Sequence, residues 1–246
     1  MGNTFKLVVE YDGTGFHGWQ RQKNDRTVQE TIEAALTLMT GEPVVLVGSG
    51  RTDAGVHAMA QAAGFTTRSR LTATAIVNGL NSLLPDDVVI RECVCMPSTF
   101  HARFHVRSKH YRYHIRNHRL PAAIGRQFAW HIRKPLDRSA MAQAAEWLVG
   151  THDFQAFEGA GSPRAHTVRT VLRSTVQGTD DGHLTYDVEA DGFLRFMVRN
   201  IVGTLVEVGL GKRAPDDMQR ILKSRDRSCA GATAPPQGLF LVDVSY

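Results

Sequence analysis

Asp53 and Arg51 stand two residues apart in GSGRTDAGVHA, residues 48–58, directly after the apolar run Val44 to Val47. An Asp near a glycine is often only a turn residue, because its side chain bonds nearby backbone. A loop leaving a buried strand is also a common carrier of functional groups. Arg51 would hold the neighbouring carboxylate ionised by charge pairing. An ionised, positioned carboxylate can act as nucleophile or base. The three glycines fit neither G-x-x-x-x-G-K-[ST] nor G-x-G-x-x-G, so no nucleotide-phosphate loop is indicated.

A second concentration of chemistry is FHARFHVRSKHYRYH, residues 100–114, where basic side chains alternate with aromatic ones. Arg and Lys contact phosphates, and aromatic planes stack on unpaired bases. Most of Phe100, Phe104 and Tyr113 are expected to face the core, whereas Tyr111 sits amid the densest charge. A third candidate is Arg199 in RFMVRNIVG, on a helix otherwise apolar at Phe196, Met197, Val198, Ile201 and Val202. Such a charge either points outward at the edge of the stripe or is buried against a carboxylate, and Asp53 is one candidate partner. The histidines form no metal-binding pattern, and no serine elbow is present. Cys93, Cys95 and Cys229 lack the paired spacing of a zinc site and are expected as buried reduced thiols.

These residues need elements to hold them. FKLVVEY (5–11) reads as a strand, followed by the glycine-rich loop DGTGFHGWQRQ. TVQETIEAALTLMTG reads as a helix, with Thr27 and Glu30 as a capping box and Gly41 as its end. PVVLVGSG reads as a short buried strand leading to Asp53. TATAIVNGLNSLL reads as a helix and DVVIRECVCM as a strand. In SKHYRYHIRN, Tyr111, Tyr113 and Ile115 are predicted on one face of a strand, with His110, Arg112, His114 and Arg116 on the other. A helix is expected over LDRSAMAQAAEWLVG, then a hairpin turning at Asp180-Asp181-Gly182. Two further helices follow, RFMVRNIVGTLVEVGLG and APDDMQRILKS, and the closing strand is GLFLVDVSY. This mixed order implies an α+β fold with a largely antiparallel sheet. Strands opening at residues 5 and 109 suggest two halves, 1–105 and 106–246. The loop EGAGSPRAHT is the candidate for an insertion.

Composition narrows the class. The 246 residues carry 29 Lys and Arg against 24 Asp and Glu, a net charge of +5 with a pI near 9.3. From Cys93 to Leu136 there are nine Lys or Arg, six of the eleven histidines and no acid, leaving 20 basic against 24 acidic residues elsewhere. A basic segment on an otherwise mildly acidic chain points to a polyanion partner. No apolar run approaches the roughly 20 residues of a membrane helix, and no export signal is evident, so a cytoplasmic protein without a membrane partner is expected. The residues alone leave three readings open: an Asp-centred reaction on a nucleic acid, an RNA-binding protein without catalysis, and a metal-dependent phosphohydrolase.

YDGTGFHGWQRQ, GSGRTDAGVHA, FHARF, KHYRYHI, MVRNIVG and TAPPQGLFLVDVSY occur together and in this order. Over nearly its whole length the chain thereby resembles the pseudouridine synthases that act on the tRNA anticodon stem-loop. That resemblance implies two similar α/β halves around a central, mainly antiparallel sheet with helices packed outside. It implies isomerisation of uridine to pseudouridine at tRNA positions 38–40, a flipped target base, no cofactor, no metal and a homodimer. It implies that Asp53 is the catalytic aspartate, that Tyr111 packs on the target base, and that Arg199 pairs with the aspartate. Arg51 would enter the space the base leaves. Phe100, His101, Ala102, Arg103 and Phe104 would form an RNA-contacting strip with Arg103 on phosphate, and Arg119 and Arg164 would make further tRNA contacts. The chain departs from the family pattern at Gln155 in DFQAF and in GSPRAHTVR. The resemblance leaves open whether the aspartate attacks C1′, attacks C6 or takes the 2′ proton.

Overall fold

The computed structural model describes residues 2–159, 161 and 166–246. Arg164 and the centre of the loop expected as an insertion lie outside the described residues. In chain order the elements are β1 (Asn3–Tyr11), α1 (Val28–Thr40), β2 (Val47–Gly48), β3 (His57–Thr67), α2 (Ala73–Leu83), β4 (Val88–Met96), β5 (Ser108–Asn117), β6 (Trp130–Ile132), α3 (Arg138–Glu146), β7 (Gly150–Asp153), β8 (Val168–Gly178), β9 (His183–Ala190), α4 (Met197–Gly209), α5 (Asp217–Ser224) and β10 (Leu239–Ser245). Strand pairing is mainly antiparallel and the fold class is α+β. The chain forms two compact units. One runs to Arg107 and takes back Phe240–Tyr246; the other is Ser108–Leu239. A contiguous division near residue 105 does not contain this return of the last strand.

In the first unit β1 lies between β3 and β4, antiparallel to both. Its alternation is that of a half-buried strand: Phe5, Leu7, Val9 and Tyr11 point inward and are buried. The core is completed by Val28, Ile32 and Leu36 of α1 and Ile76 and Leu80 of α2. Each such side chain contributes roughly 1.5–3 kcal/mol on removal from water. The α1 helix ends at Gly41, whose φ of 72° suits glycine and whose N–H returns to the Thr37 carbonyl. The expected capping box is not made: Thr27 is the N-cap, but its buried hydroxyl bonds nothing among the described residues. The free edge of β3 is shared. The parallel β10 covers His57 and Ala58, and β2 covers Ala63 and Gly64. The stretch before Asp53 is not a buried strand throughout. Val44 and Leu46 are buried while Val45 and Val47 are exposed, and only two residues pair.

The second unit orders its strands β5-β9-β8-β7, all antiparallel, with β6 parallel on the far edge of β5. Tyr111, Tyr113 and Ile115 are buried on one face of β5, as their alternation predicted. On the other face the basic residues are partly neutralised. His110 and Arg112 both bond the buried Asp187 of β9, at 2.6 and 2.9 Å. The hairpin turns through Gly182 at φ 83°. The α3 helix stops at Glu146 rather than at Gly150, which instead opens β7 at φ 108°. The thiols depart from expectation: Cys95 and Cys229 are exposed and Cys93 is half-buried, its pKa pushed up to about 12 by desolvation. Among the described residues no helix is long and apolar enough to cross a membrane.

Candidate active site

Asp53 sits, half-buried, in the connection from β2 to β3. Eight residues of irregular backbone would be mobile unless tied down, and here they are tied at both ends. At the entry, Ser49 N–H donates to the Ala62 carbonyl (2.8 Å), and Ser49 Oγ donates to Gln61 Oε1 (2.6 Å). Gln61 Nε2 in turn donates to the Gly50 carbonyl (3.2 Å). At the exit, Val56 N–H closes on the Asp53 carbonyl (3.1 Å). Next to the carboxylate, Thr52 Oγ1 and the Tyr11 phenol share a buried hydrogen bond of 2.8 Å. Desolvation pushes the Tyr11 pKa far above its ordinary value, against the opposing pull of the bonds to Thr52 and Gln61. The phenol is therefore neutral at physiological pH.

The loop after β1 forms the other wall of this cradle. Trp19 N–H donates to the Thr52 carbonyl (3.2 Å), and Gly55 N–H to that of Phe16 (3.2 Å). Glycine is required at two points of contact. A Cβ on Gly13 would lie 2.1 Å from the Val56 carbonyl oxygen. One on Gly18, at φ 93°, would lie 2.6 Å from the Thr52 oxygen. Gly13 N–H also donates to Nδ1 of the buried His57 (3.0 Å). The two glycine-rich motifs are thus the two sides of one rigid holder for Asp53. Tyr11, Thr52, His57 and Gln61, which carry this arrangement, were not singled out from the sequence. The available signal was the pair of glycine clusters, since backbones that touch need glycine at the contact.

Arg51 is exposed two residues before Asp53 on the same loop. The segment Phe100 to Phe104 is a turn folded about His101. Nδ1 of that ring accepts the N–H groups of Arg103 (3.1 Å) and Phe104 (3.3 Å), and the ring stacks on Phe104 at 4.2 Å. Ala102 is buried, its carbonyl accepting the Tyr246 hydroxyl (2.7 Å), and Phe100 packs on Tyr246. Arg103 and Phe104 are left projecting. Phe104, expected toward the core, is 72% exposed.

The second unit carries Tyr111, Arg119 and Arg199. Tyr111 is buried on β5 with its ring edge-on to Phe193 (5.0 Å). Arg119 is exposed just beyond β5. Arg199 lies in the first turn of α4, half-buried at the edge of the apolar stripe. Its Nε donates to the Ala234 carbonyl (2.8 Å), and its guanidinium lies over the Phe196 ring (4.9 Å). Phe196 caps α4 at φ 60°, a left-handed conformation that costs an L side chain about 1–2 kcal/mol. Desolvation pushes the Tyr113 phenol far up, and the positive charge of Arg199 opposes that shift. Among the described residues no group of three or more His, Cys, Asp or Glu side chains is placed to share a metal ion.

Comparison with known proteins adds a family. A family model described as tRNA pseudouridine synthase matches residues 7–105 and 144–246. The chain is 48% identical over 240 residues to tRNA pseudouridine synthase A of Thermoanaerobacter sp. (strain X514), covering 98% of each chain. It is 47% identical over 241 residues to tRNA pseudouridine synthase A of Acetivibrio thermocellus and 48% identical over 241 residues to that of Geotalea uraniireducens, again covering 98% of each chain.

Proposed function

The chain belongs to the tRNA pseudouridine synthase family, and on that premise we propose that it isomerises uridine to pseudouridine at positions 38–40 of the tRNA anticodon stem-loop, with Asp53 as the catalytic carboxylate. One observation carries the assignment of Asp53. It stands on a loop whose backbone is bonded on both sides and whose neighbouring side chain is held by a buried phenol. A nucleophile or base gains rate from such fixed placement, because misplacement by about 1 Å can cost about 10²-fold.

The chemistry suits a lone carboxylate. The N1–C1′ bond breaks, the uracil turns, C5 bonds to C1′, the C5 hydrogen leaves as a proton and N1 takes one up. No water is consumed and no electrons are transferred, so the reaction needs no cofactor. The target base is stacked in the stem and has to leave it, at a cost of a few kcal/mol. Stacking on Tyr111 and insertion of Arg51 offset that cost, and Arg199 supplies the positive charge that keeps the carboxylate ionised. Arg103, with Arg119 and Arg164, holds phosphate, while Phe100, His101, Ala102 and Phe104 shape the strip that presents Arg103. The enzyme acts in the cytoplasm as a homodimer, without a metal.

The test is tritium release from tRNA carrying [5-³H]uridine, comparing wild type with Asp53→Ala. Wild type releases tritium. The variant releases none while binding tRNA within a few-fold of wild type. Binding lost in step with activity would remove Asp53 from the chemistry. Binding without release by wild type would leave an RNA-binding protein.

A further inference from the structure

We infer that Asn200 is a positioning residue for Arg199, acting through residues 230–235, which lie across the first turns of α4 as a strap. This inference rests on the role proposed above for Arg199.

The strap touches the helix backbone to backbone. A Cβ on Gly203 would lie 1.7 Å from the Ala232 carbonyl oxygen, and one on Gly231 would lie 2.9 Å from the Thr204 backbone. Glycine at both places lets the chain lie this close. The strap then grips Arg199 from both sides of one residue. Ala234 N–H donates to the Arg199 carbonyl (3.0 Å), and the Ala234 carbonyl accepts Arg199 Nε (2.8 Å). The next carbonyl, that of Pro235, accepts the Tyr113 hydroxyl (2.7 Å). The Nε bond and the Phe196 ring beneath the guanidinium together restrict its plane, and with it the direction of its two terminal nitrogens.

Asn200 holds the strap in that place. It is fully buried, and an amide there must satisfy both ends. Its Nδ2 donates to the Phe157 carbonyl (2.8 Å). Its Oδ1 accepts Thr233 Oγ1 of the strap (2.6 Å) and Arg227 Nη2 (3.0 Å). Arg227 also reaches Thr233 Oγ1 (3.2 Å) and the Ala230 carbonyl (3.3 Å). Thr204, one turn further along α4, accepts Gly231 N–H at Oγ1 (2.9 Å). One buried amide therefore gathers the strap, Arg227 and the Phe157 segment immediately beside Arg199.

The experiment compares Asn200→Ala, Thr233→Val and Thr233→Ser in the full-length protein, each alone and with Arg199→Ala. Single-turnover rate, tRNA affinity and protection of the Arg199 Nε–H by nitrogen-15 NMR are measured. Asn200→Ala is expected to lower the rate at least tenfold with tRNA affinity within twofold, and to lose Nε–H protection. Thr233 is on the surface, so Thr233→Val avoids a folding defect; it lowers the rate several-fold, and Thr233→Ser recovers most of that loss. In the Arg199→Ala background neither Asn200→Ala nor Thr233→Val lowers the rate further. Protection retained in Asn200→Ala, or a full additional rate loss on top of Arg199→Ala, overturns the inference. A full rate for Arg199→Ala alone would instead refute the role of Arg199, and the NMR result would still decide whether Asn200 positions it.

Discussion

Replacing Tyr11 by Phe isolates the buried contact that steadies the loop beside Asp53. The variant keeps the ring, 3% exposed in the folded chain, and removes only the oxygen that meets Thr52 at 2.8 Å and also bonds Gln61. A net hydrogen bond of about 0.5–1.5 kcal/mol is lost, and the buried Thr52 hydroxyl is stranded, which raises the cost to about 1–3 kcal/mol. For a chain of this size each kcal/mol lowers Tm by about 2–4 °C, so a central expectation is a fall of about 4–8 °C. Thr52→Val alone leaves the phenol its bond to Gln61 and should cost less, about 0.5–1.5 kcal/mol. The double variant removes both partners of that bond and should be little worse than Tyr11→Phe, a coupling of about 0.5–1.5 kcal/mol. Turnover at a temperature well below Tm should fall roughly tenfold, less than the loss for a shift of about 1 Å, because the backbone bonds of the loop remain. Urea unfolding and tritium release on the three variants make the measurement. Single losses that add fully in the double variant, or turnover unchanged beside a lowered Tm, would refute the idea that this bond holds the site.

Three further outcomes are expected. Gly18→Ala places a methyl 2.6 Å from the Thr52 oxygen at a φ of 93°, so it should cost about 2–4 kcal/mol and lower turnover more than Tyr11→Phe; wild-type stability would contradict the close contact. Stability should fall as pH rises above about 10. Burial raises the phenols of Tyr11, Tyr113, Tyr186 and Tyr246 above their ordinary value of 10.0, so above that pH the unfolded chain releases protons that the folded chain retains. Phenolate absorbance at 295 nm should then appear for these four only with unfolding, and early appearance in the folded protein would count against it. Arg103→Ala should weaken tRNA binding and reduce the salt slope by about one ion, read from binding at several salt concentrations; an unaltered slope would take Arg103 off the phosphates.

What the sequence determined was local. Alternation in FKLVVEY and SKHYRYHIRN is a property of neighbouring side chains, and β1 and β5 are where it places them. The helices over 28–40, 73–83 and 197–209 follow from apolar spacing, and Gly41 ends the first as glycine does. Asp53 was legible as a candidate because a turn-forming glycine loop after an apolar run is a short-range pattern, and the family because several such patterns stand in order. Short-range rules also set the errors. They allowed a capping box at Thr27 that does not form and a buried strand at 44–47 that alternates instead.

Only the tertiary structure decided the contacts that bridge long stretches of chain. Tyr11 meets Thr52 across 41 residues, and Thr233 meets Asn200 across 33. The last strand returns from residue 240 to lie parallel on His57 and Ala58. Closing such loops costs entropy that no local preference repays. The repayment comes from buried surface and buried hydrogen bonds that exist only once the partners have met. For that reason the sequence named Asp53 and Arg199 as candidates, while the residues that hold each of them became visible only in the fold.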